Sequence, residues 1–188
     1  GGGAPWSQVL ATNLSTSRMI DDVAAQFPGA QVLRTAGGEA NVVAALKPLG
    51  DRALLGGEGN GGVILPGVCW VRDSLSAMAL TLSLMAASRL RLSEIVASLP
   101  RYTMIKHKFD AAKLGGADAI RRAMDKVRAK FADQKLSTID GVRIDFPDGW
   151  VHLRPSNTEP IVRLIAEARS DSRAWELIDE VAVAAGLK

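Results

Sequence analysis

A single cysteine, Cys69, stands among the 188 residues, so no internal disulfide can form and nothing asks for an oxidising compartment. The cytoplasm is the default location, and Cys69 reads as a core or loop thiol rather than a nucleophile. Histidine is almost as scarce: His107 and His152 are the only two, and neither has a partner at metal-ligand or triad spacing. Both read as structural or exposed. Long apolar runs are missing as well. The longest, Leu75 to Ala87, is interrupted by Ser76, Thr81 and Ser83 and is short for a membrane span. No secretory signal, internal repeat or low-complexity tract is visible. Charge is nearly balanced, with 23 Lys and Arg against 20 Asp and Glu leaving +3. That excess is too small to argue for nucleic acid and suits an anionic small substrate equally well. The chain opens Gly1-Gly2-Gly3 without an initiating Met. Those residues are left out of fold reasoning, and the protein is expected to continue upstream.

The hydrophobic share of 47% and charged share of 23% are those of an ordinary globular protein, and the length suffices for one large domain or two small ones. Val9 to Leu14 reads as a buried strand. Ser17 then sits at an N-cap position ahead of Ile20, Val23, Ala24 and Phe27 at helical spacing, stopped by Pro28-Gly29. Ala30 to Arg34 is a second strand, Asn41 to Leu49 a second helix, and Arg52 to Leu55 a third strand. Such a β-α-β-α-β rhythm predicts an α/β three-layer domain, a mixed sheet covered by helices. Asp73 caps a further helix whose Leu75, Met78, Ala79, Leu82, Met85 and Ala86 are expected to form one buried face. A short helix from Leu92 ends at Pro100, where the domain boundary is placed, giving domains 1–99 and 100–188.

Beyond it, Tyr102 to Phe109 alternates as a strand, and Gly115-Gly116 precedes an amphipathic helix. Arg121, Arg122, Lys126, Arg128 and Lys130 fall largely on the polar side of that helix, most simply a solvated face. Val142 to Phe146 and Trp150 to Arg154 read as strands joined by a Pro147-Asp148-Gly149 turn. Asp171 caps a last helix packing Trp175, Ile178, Val181, Ala182 and Ala185. The second domain is thus a smaller α+β unit, an antiparallel sheet with two helices.

Two stretches carry chemistry. Arg154-Pro155-Ser156-Asn157-Thr158-Glu159-Pro160 lies between two strand patterns and places a guanidinium, two hydroxyls, an amide and a carboxylate in one hairpin loop. Ser, Asn and Thr there turn backbone N–H groups and hydroxyls into one concavity, and Arg154 adds a fork that matches phosphate or carboxylate oxygens. The same composition would also serve a plain turn in which Arg154 pairs with Glu159. Upstream, Gly57-Glu58-Gly59-Asn60-Gly61-Gly62 satisfies G-x-G-x-x-G, but Pro66 and Gly67 follow where a dinucleotide loop must open into a helix. What remains is backbone able to approach a ligand closely, with Glu58 as acceptor and Asn60 as donor and acceptor, a pairing that neighbouring sugar hydroxyls require.

Arg-Pro-Ser-Asn-Thr-Glu-Pro followed by Arg163 resembles the phosphate-binding loop in the last domain of the α-D-phosphohexomutases, the phosphoglucomutase, phosphomannomutase and phosphoglucosamine mutase family. Gly56-Gly57-Glu58-Gly59-Asn60-Gly61-Gly62 resembles the sugar-binding loop of their third domain. The resemblance implies that Arg154, Ser156, Asn157, Thr158 and Arg163 hold a phosphate, and that Glu58, Gly59 and Asn60 hold adjacent sugar hydroxyls. Thr35-Ala36-Gly37-Gly38-Glu39 resembles another active-site loop and adds Gly38 and Glu39, although Gly37 stands where an apolar residue is common. Some members carry a histidine where this chain has Gly62. The family's phosphoserine loop and its aspartate-rich Mg2+ loop belong to its first two domains, and neither motif occurs here. The resemblance therefore implies the substrate-recognising C-terminal half of a phosphohexomutase, inactive by itself. Its implied partners are a hexose phosphate and the N-terminal domains of the same protein, with no nucleic acid and no membrane. A non-catalytic sugar- or anion-binding module is one alternative. A nucleic-acid-binding protein using the Arg121 to Lys130 face is another.

Overall fold

A computed structural model describes residues 7–110, 116–156 and 161–188. The chain divides into two compact units, Gly1–Arg101 and Tyr102–Lys188.

The first unit runs β1 (Val9–Asn13), α1 (Met19–Ala24), β2 (Gln31–Thr35), α2 (Glu39–Leu46), a 3-10 turn over Lys47–Arg52, β3 (Ala53–Gly57), β4 (Val63–Ile64), α3 (Ser74–Ser88) and α4 (Leu92–Ser98). The sheet has the order β2-β1-β3-β4, with β1 parallel to both β2 and β3 and β4 antiparallel. Because the chain steps from β1 to β2 on one side and from β2 across to β3 on the other, right-handed crossovers put α1 and α2 on opposite faces. Ala11, Val42, Leu46 and Ile64 form the core on the α2 side. Leu10, Val23, Ala24, Phe27 and Leu54 line an apolar cleft on the α1 side. The mixed sheet with helices agrees with the sequence expectation.

Three details differ from it. Helix α1 is only six residues long, and Phe27 lies beyond its end, 62% exposed rather than packed. Helix α2 starts two residues earlier than the apolar period suggests, directly after Gly38, whose φ of 111° no side-chain-bearing residue adopts readily. Helix α3 does not bury the predicted face: Leu75, Met78 and Leu82 are exposed, and Ser76 is its one buried residue. The cause is visible in the sequence, since 10 of its 15 residues are apolar and are spread around the whole circumference. Its cap is as expected, with Asp73 accepting from the backbone N–H groups of Leu75 and Ser76 at 3.0 Å each. No single helix among the described residues is long and apolar enough to cross a membrane, and α3 with α4 meets that test only as a pair bent by 87°.

The second unit runs β5 (Thr103–Asp110), α5 (Gly116–Lys130), β6 (Lys135–Ser137), β7 (Val142–Asp145), β8 (Gly149–Pro155), β9 (Ile161–Ala168) and α6 (Asp171–Ala185). Its sheet is antiparallel throughout, in the order β5-β9-β8-β7-β6. Strand alternation sends Val151, Leu153, Leu164, Ala166 and Ala168 into a core shared with Val127, Leu177, Ile178 and Val181 of the helices. Alternate residues, among them Trp150, His152, Arg154, Arg163 and Glu167, belong to the opposite face. The last helix is capped by Ser170, whose hydroxyl accepts from the N–H of Arg173, rather than by Asp171. Trp175 is 42% exposed instead of packed in the core, with its ring edge-on to His107 at 5.8 Å. The basic side chains of α5 are largely solvated, Arg121 and Arg128 pairing with Asp118 and Asp125 one turn before them.

Candidate functional site

In the first unit the carboxyl ends of three parallel strands meet at Glu58. Its Oε1 accepts from Asn13 Nδ2 at 2.7 Å and from the backbone N–H of Gly38 at 2.8 Å. Asn13 ends β1, Gly38 follows β2, and Glu58 follows β3, so the carboxylate bridges loops far apart in sequence. Asn13 is itself oriented, its Oδ1 accepting from the Ser15 N–H and from the Thr16 hydroxyl, which leaves Nδ2 to donate. In the order β2-β1-β3 the chain leaves β1 and β3 in opposite directions. The crevice outside the carboxyl ends at such a point is the usual ligand position of an α/β sheet. A cleft of about 170 Å³ between β1 and β3 reaches Glu58, lined by the apolar Leu10, Ile20 and Leu55 as well as by Thr12, Thr16 and Gly62.

The Gly-rich loop is shaped by its own backbone. Gly61 has φ of 88°, and its N–H donates to the Glu58 carbonyl at 3.2 Å, while Asn60 Oδ1 accepts from the Gly62 N–H at 3.2 Å. With Oδ1 accepting there, the Asn60 amide nitrogen is left as a donor. Gly59 packs against Thr16, where a Cβ would lie 3.5 Å from the Thr16 Cα. Glu39 is engaged at both oxygens by one residue, Arg72, through the backbone N–H at 3.2 Å and Nε at 2.5 Å. The Arg72 hydrogen bond holds the Glu39 carboxyl below the usual carboxylate range.

In the second unit, Arg154 of β8 stands directly opposite Arg163 of β9, and Lys108 of β5 stands directly opposite Arg163 on its other side. The hairpin is closed beyond them by the Ser156 N–H donating to the Ile161 carbonyl at 2.9 Å. Asn157 and Thr158 lie outside the described residues, as does Glu159. Among the described residues the partner of Arg154 is Asp140, with Nη1 to Oδ2 at 3.1 Å, and both side chains are less than one-fifth exposed. The Arg154 Nε is buried with no hydrogen-bond partner among the described residues. His152, on the same strand face, is fully buried, and its Nε2 bonds the Asp140 carbonyl. Burial holds its pKa down to about 4, so it is neutral and donates from Nε2. His152 thus fixes the turn that presents Asp140 to Arg154.

Asn13, Arg72, Lys108 and Asp140 were not foreseen as site residues. Only Asp140 carried a signal, the Asp-Gly pair ahead of a strand. The others arrive through strand register or through contacts across 33 and 45 residues of chain.

The two units define an α/β domain that gathers polar loops at its strand ends, followed by an antiparallel domain with opposed guanidiniums at a hairpin tip. Residues 3–102 match the family described as phosphoglucomutase/phosphomannomutase, alpha/beta/alpha domain III, and residues 104–184 match phosphoglucomutase/phosphomannomutase, C-terminal domain. The chain belongs to this family. It is 36% identical over 171 residues to a probable phosphoglucosamine mutase of Methanopyrus kandleri, covering 91% of this chain and 37% of that protein. It is 37% identical over 174 residues to a phosphoglucomutase/phosphomannomutase of Thermococcus kodakarensis, covering 91% and 36%. The crystal structure of a phosphoglucomutase/phosphomannomutase family protein from Burkholderia thailandensis superposes with a TM-score of 0.74 at 27% identity, over 95% of this chain and 38% of that one. The chain thus spans little more than a third of the length of the relatives it matches.

Proposed function

We propose that this chain is the substrate-recognising part of a phosphohexomutase, which interconverts hexose 6-phosphate and hexose 1-phosphate through a phosphoserine and a bisphosphorylated sugar. The observation that carries this reading is the row Lys108, Arg163, Arg154 across three adjacent strands. Like charges directly opposite each other on a sheet are destabilising, and the Asp140 carboxylate pairs with Arg154. A phosphate dianion above the row is attracted by all three cations, and the Ser156, Asn157 and Thr158 segment supplies the small donors that a phosphate collects.

The first unit then holds the sugar. Glu58 keeps Oε1 in the Asn13 and Gly38 bonds and offers Oε2 to one hydroxyl, while Asn60 donates from its amide nitrogen to the next. Gly59 lets the sugar approach the backbone. Gly38 and Glu39 act indirectly, Gly38 by orienting Glu58 and Glu39 by orienting Arg72. Holding phosphate and ring together turns one hydroxyl toward the phosphoserine. Such orientation contributes on the order of several kcal/mol to a phosphoryl transfer in which positioning and charge dominate. The phosphoserine and the Mg2+ expected of the family would come from other parts of the whole protein. Among the described residues no group of three or more His, Cys, Asp or Glu is placed to hold a metal ion, and no step of the recognition needs one.

Arg154→Ala is the decisive variant. Losing a charge-assisted donor pair at the centre of the row is expected to cost about 2 kcal/mol or more, ~30-fold in affinity, for inorganic phosphate and sugar phosphates alike. Lys108→Gln, at an exposed flank, is expected to cost only about threefold. Calorimetric titration of the chain with inorganic phosphate and glucose 6-phosphate checks both, and unchanged phosphate affinity in Arg154→Ala contradicts the reading.

A further inference from the structure

We propose that Arg72 is a specificity-determining residue of the sugar loop, donating from its terminal nitrogens to the one ring hydroxyl that Glu58 and Asn60 leave over. This inference rests on the proposed function and sharpens its substrate class.

Gly62 is the starting observation. Unlike Gly61, it has no positive φ, so its backbone could carry a side chain. The space for one is taken: a Cβ at Gly62 would lie 2.2 Å from Cδ and 2.8 Å from Cγ of Arg72. The aliphatic stem of Arg72 therefore lies against the sugar loop where a side chain of the loop itself would otherwise be. Arg72 is delivered there by the segment after β4 and is fastened to the first residue of α2 through Glu39. A cation beside a helix N-terminus is electrostatically disfavoured, so the Glu39 carboxylate is what makes the placement tenable. The fastening uses Nε. Neither Nη group makes a hydrogen bond among the described residues, and the side chain is 44% exposed. A guanidinium stem packed on the loop, oriented at Nε and uncommitted at both Nη groups, is prepared to donate to a ligand.

Counting hydroxyls identifies its target. A hexose 1,6-bisphosphate has free hydroxyls only at carbons 2, 3 and 4. Glu58 and Asn60 take an adjacent pair, which necessarily includes carbon 3. The remaining substituent is at carbon 2 or carbon 4. A guanidinium has donors and no acceptor, so it accepts an oxygen there and rejects an ammonium group. At carbon 2 it therefore selects hydroxyl sugars over 2-amino sugars. At carbon 4 it selects the equatorial epimer over the axial one.

The test compares glucose 6-phosphate, glucosamine 6-phosphate and galactose 6-phosphate on the chain and its variants, by amide NMR titration near neutral pH. The unaltered chain should bind glucose 6-phosphate about tenfold more tightly than one of the other two. Arg72→Gln should weaken glucose 6-phosphate by a similar factor, remove the discrimination and leave inorganic phosphate unchanged. Gly62→Ala keeps the charge but displaces the stem, and it should reproduce that pattern, which a mere latch between Glu39 and Arg72 would not. Equal ranking and affinity in Arg72→Gln and Gly62→Ala overturn the proposal. Shifts of the Glu58 to Gly62 amides in those variants, with the ranking intact, overturn it while the sugar-loop reading stands. No shift of these amides with any sugar phosphate in the unaltered chain removes that reading and this proposal together.

Discussion

Gly141→Ala is expected to lower the unfolding free energy by about 3 kcal/mol or more and to weaken phosphate binding in the same protein. Gly141 has φ of 75°, and a Cβ there would lie 2.3 Å from the Leu153 carbonyl oxygen and 2.9 Å from both Cα and Cβ of Arg154. Two costs combine. The left-handed backbone disfavours any Cβ by about 1 to 2 kcal/mol, and the clash is with strand backbone, which cannot move aside as a side-chain tip can. The strand that must yield is β8 at Arg154, so the row of Lys108, Arg163 and Arg154 shifts with it. Gly186→Ala is the internal control: its φ of 71° is nearly the same, but its new Cβ would meet only the Lys126 ammonium at 3.4 Å. That variant should lose about 1 kcal/mol and bind phosphate normally. Urea unfolding of the two variants, with phosphate titrations on each, separates strain from clash. Equal losses in both would show that the contact with Arg154 has no energetic weight.

Acidification is expected to destabilise the second unit by about 2 kcal/mol between pH 7 and pH 5 through His152 alone. Its folded pKa of about 4 lies below the ordinary 6.5 because burial disfavours the imidazolium. The unfolded chain takes up a proton as pH falls through 6.5, while the folded chain resists until about 4. Stability from this residue is therefore complete above 6.5, falls progressively between 6.5 and 4, and levels off at a loss of about 3 kcal/mol below that window. Protonation also sets a charge beside Arg143 and Arg154, in the direction that already lowers the pKa. Replacing His152 by glutamine should flatten the dependence above pH 5, where few carboxylates titrate. A wild-type profile that stays parallel to that of the variant would remove His152 as the cause.

Much of this architecture was legible in the chain. Period-two and period-3.6 patterns located most elements because each buries one face against a sheet, and Asp73 announced its helix by ordinary capping chemistry. The hairpin was visible because polar turn residues separated two apolar strands. Helix α3 was misread because its apolar residues surround the axis, so periodicity singles out no face. Trp175 was assigned to the core by its hydrophobicity, although an exposed ring against His107 serves it equally. Strand β6 is three residues long and gives no period to detect. The proposed loops were legible as motifs, whereas the residues that orient them were not. Asn13 and Arg72 act across 45 and 33 residues, and Lys108 enters only through the register of β5 on β9. None of those relations exists until the sheets form.

Amide NMR titration of the 188-residue chain with inorganic phosphate and then with glucose 6-phosphate tests the two-loop account most directly. Phosphate should move the amides around Arg154, Ser156 and Arg163 and leave the first unit unchanged. Glucose 6-phosphate should move those and also Asn13, Gly38 and Glu58 to Gly62. Shifts confined to the hairpin with both ligands, or movement of the Glu58 loop by phosphate alone, would contradict the assignment of sugar to one unit and phosphate to the other.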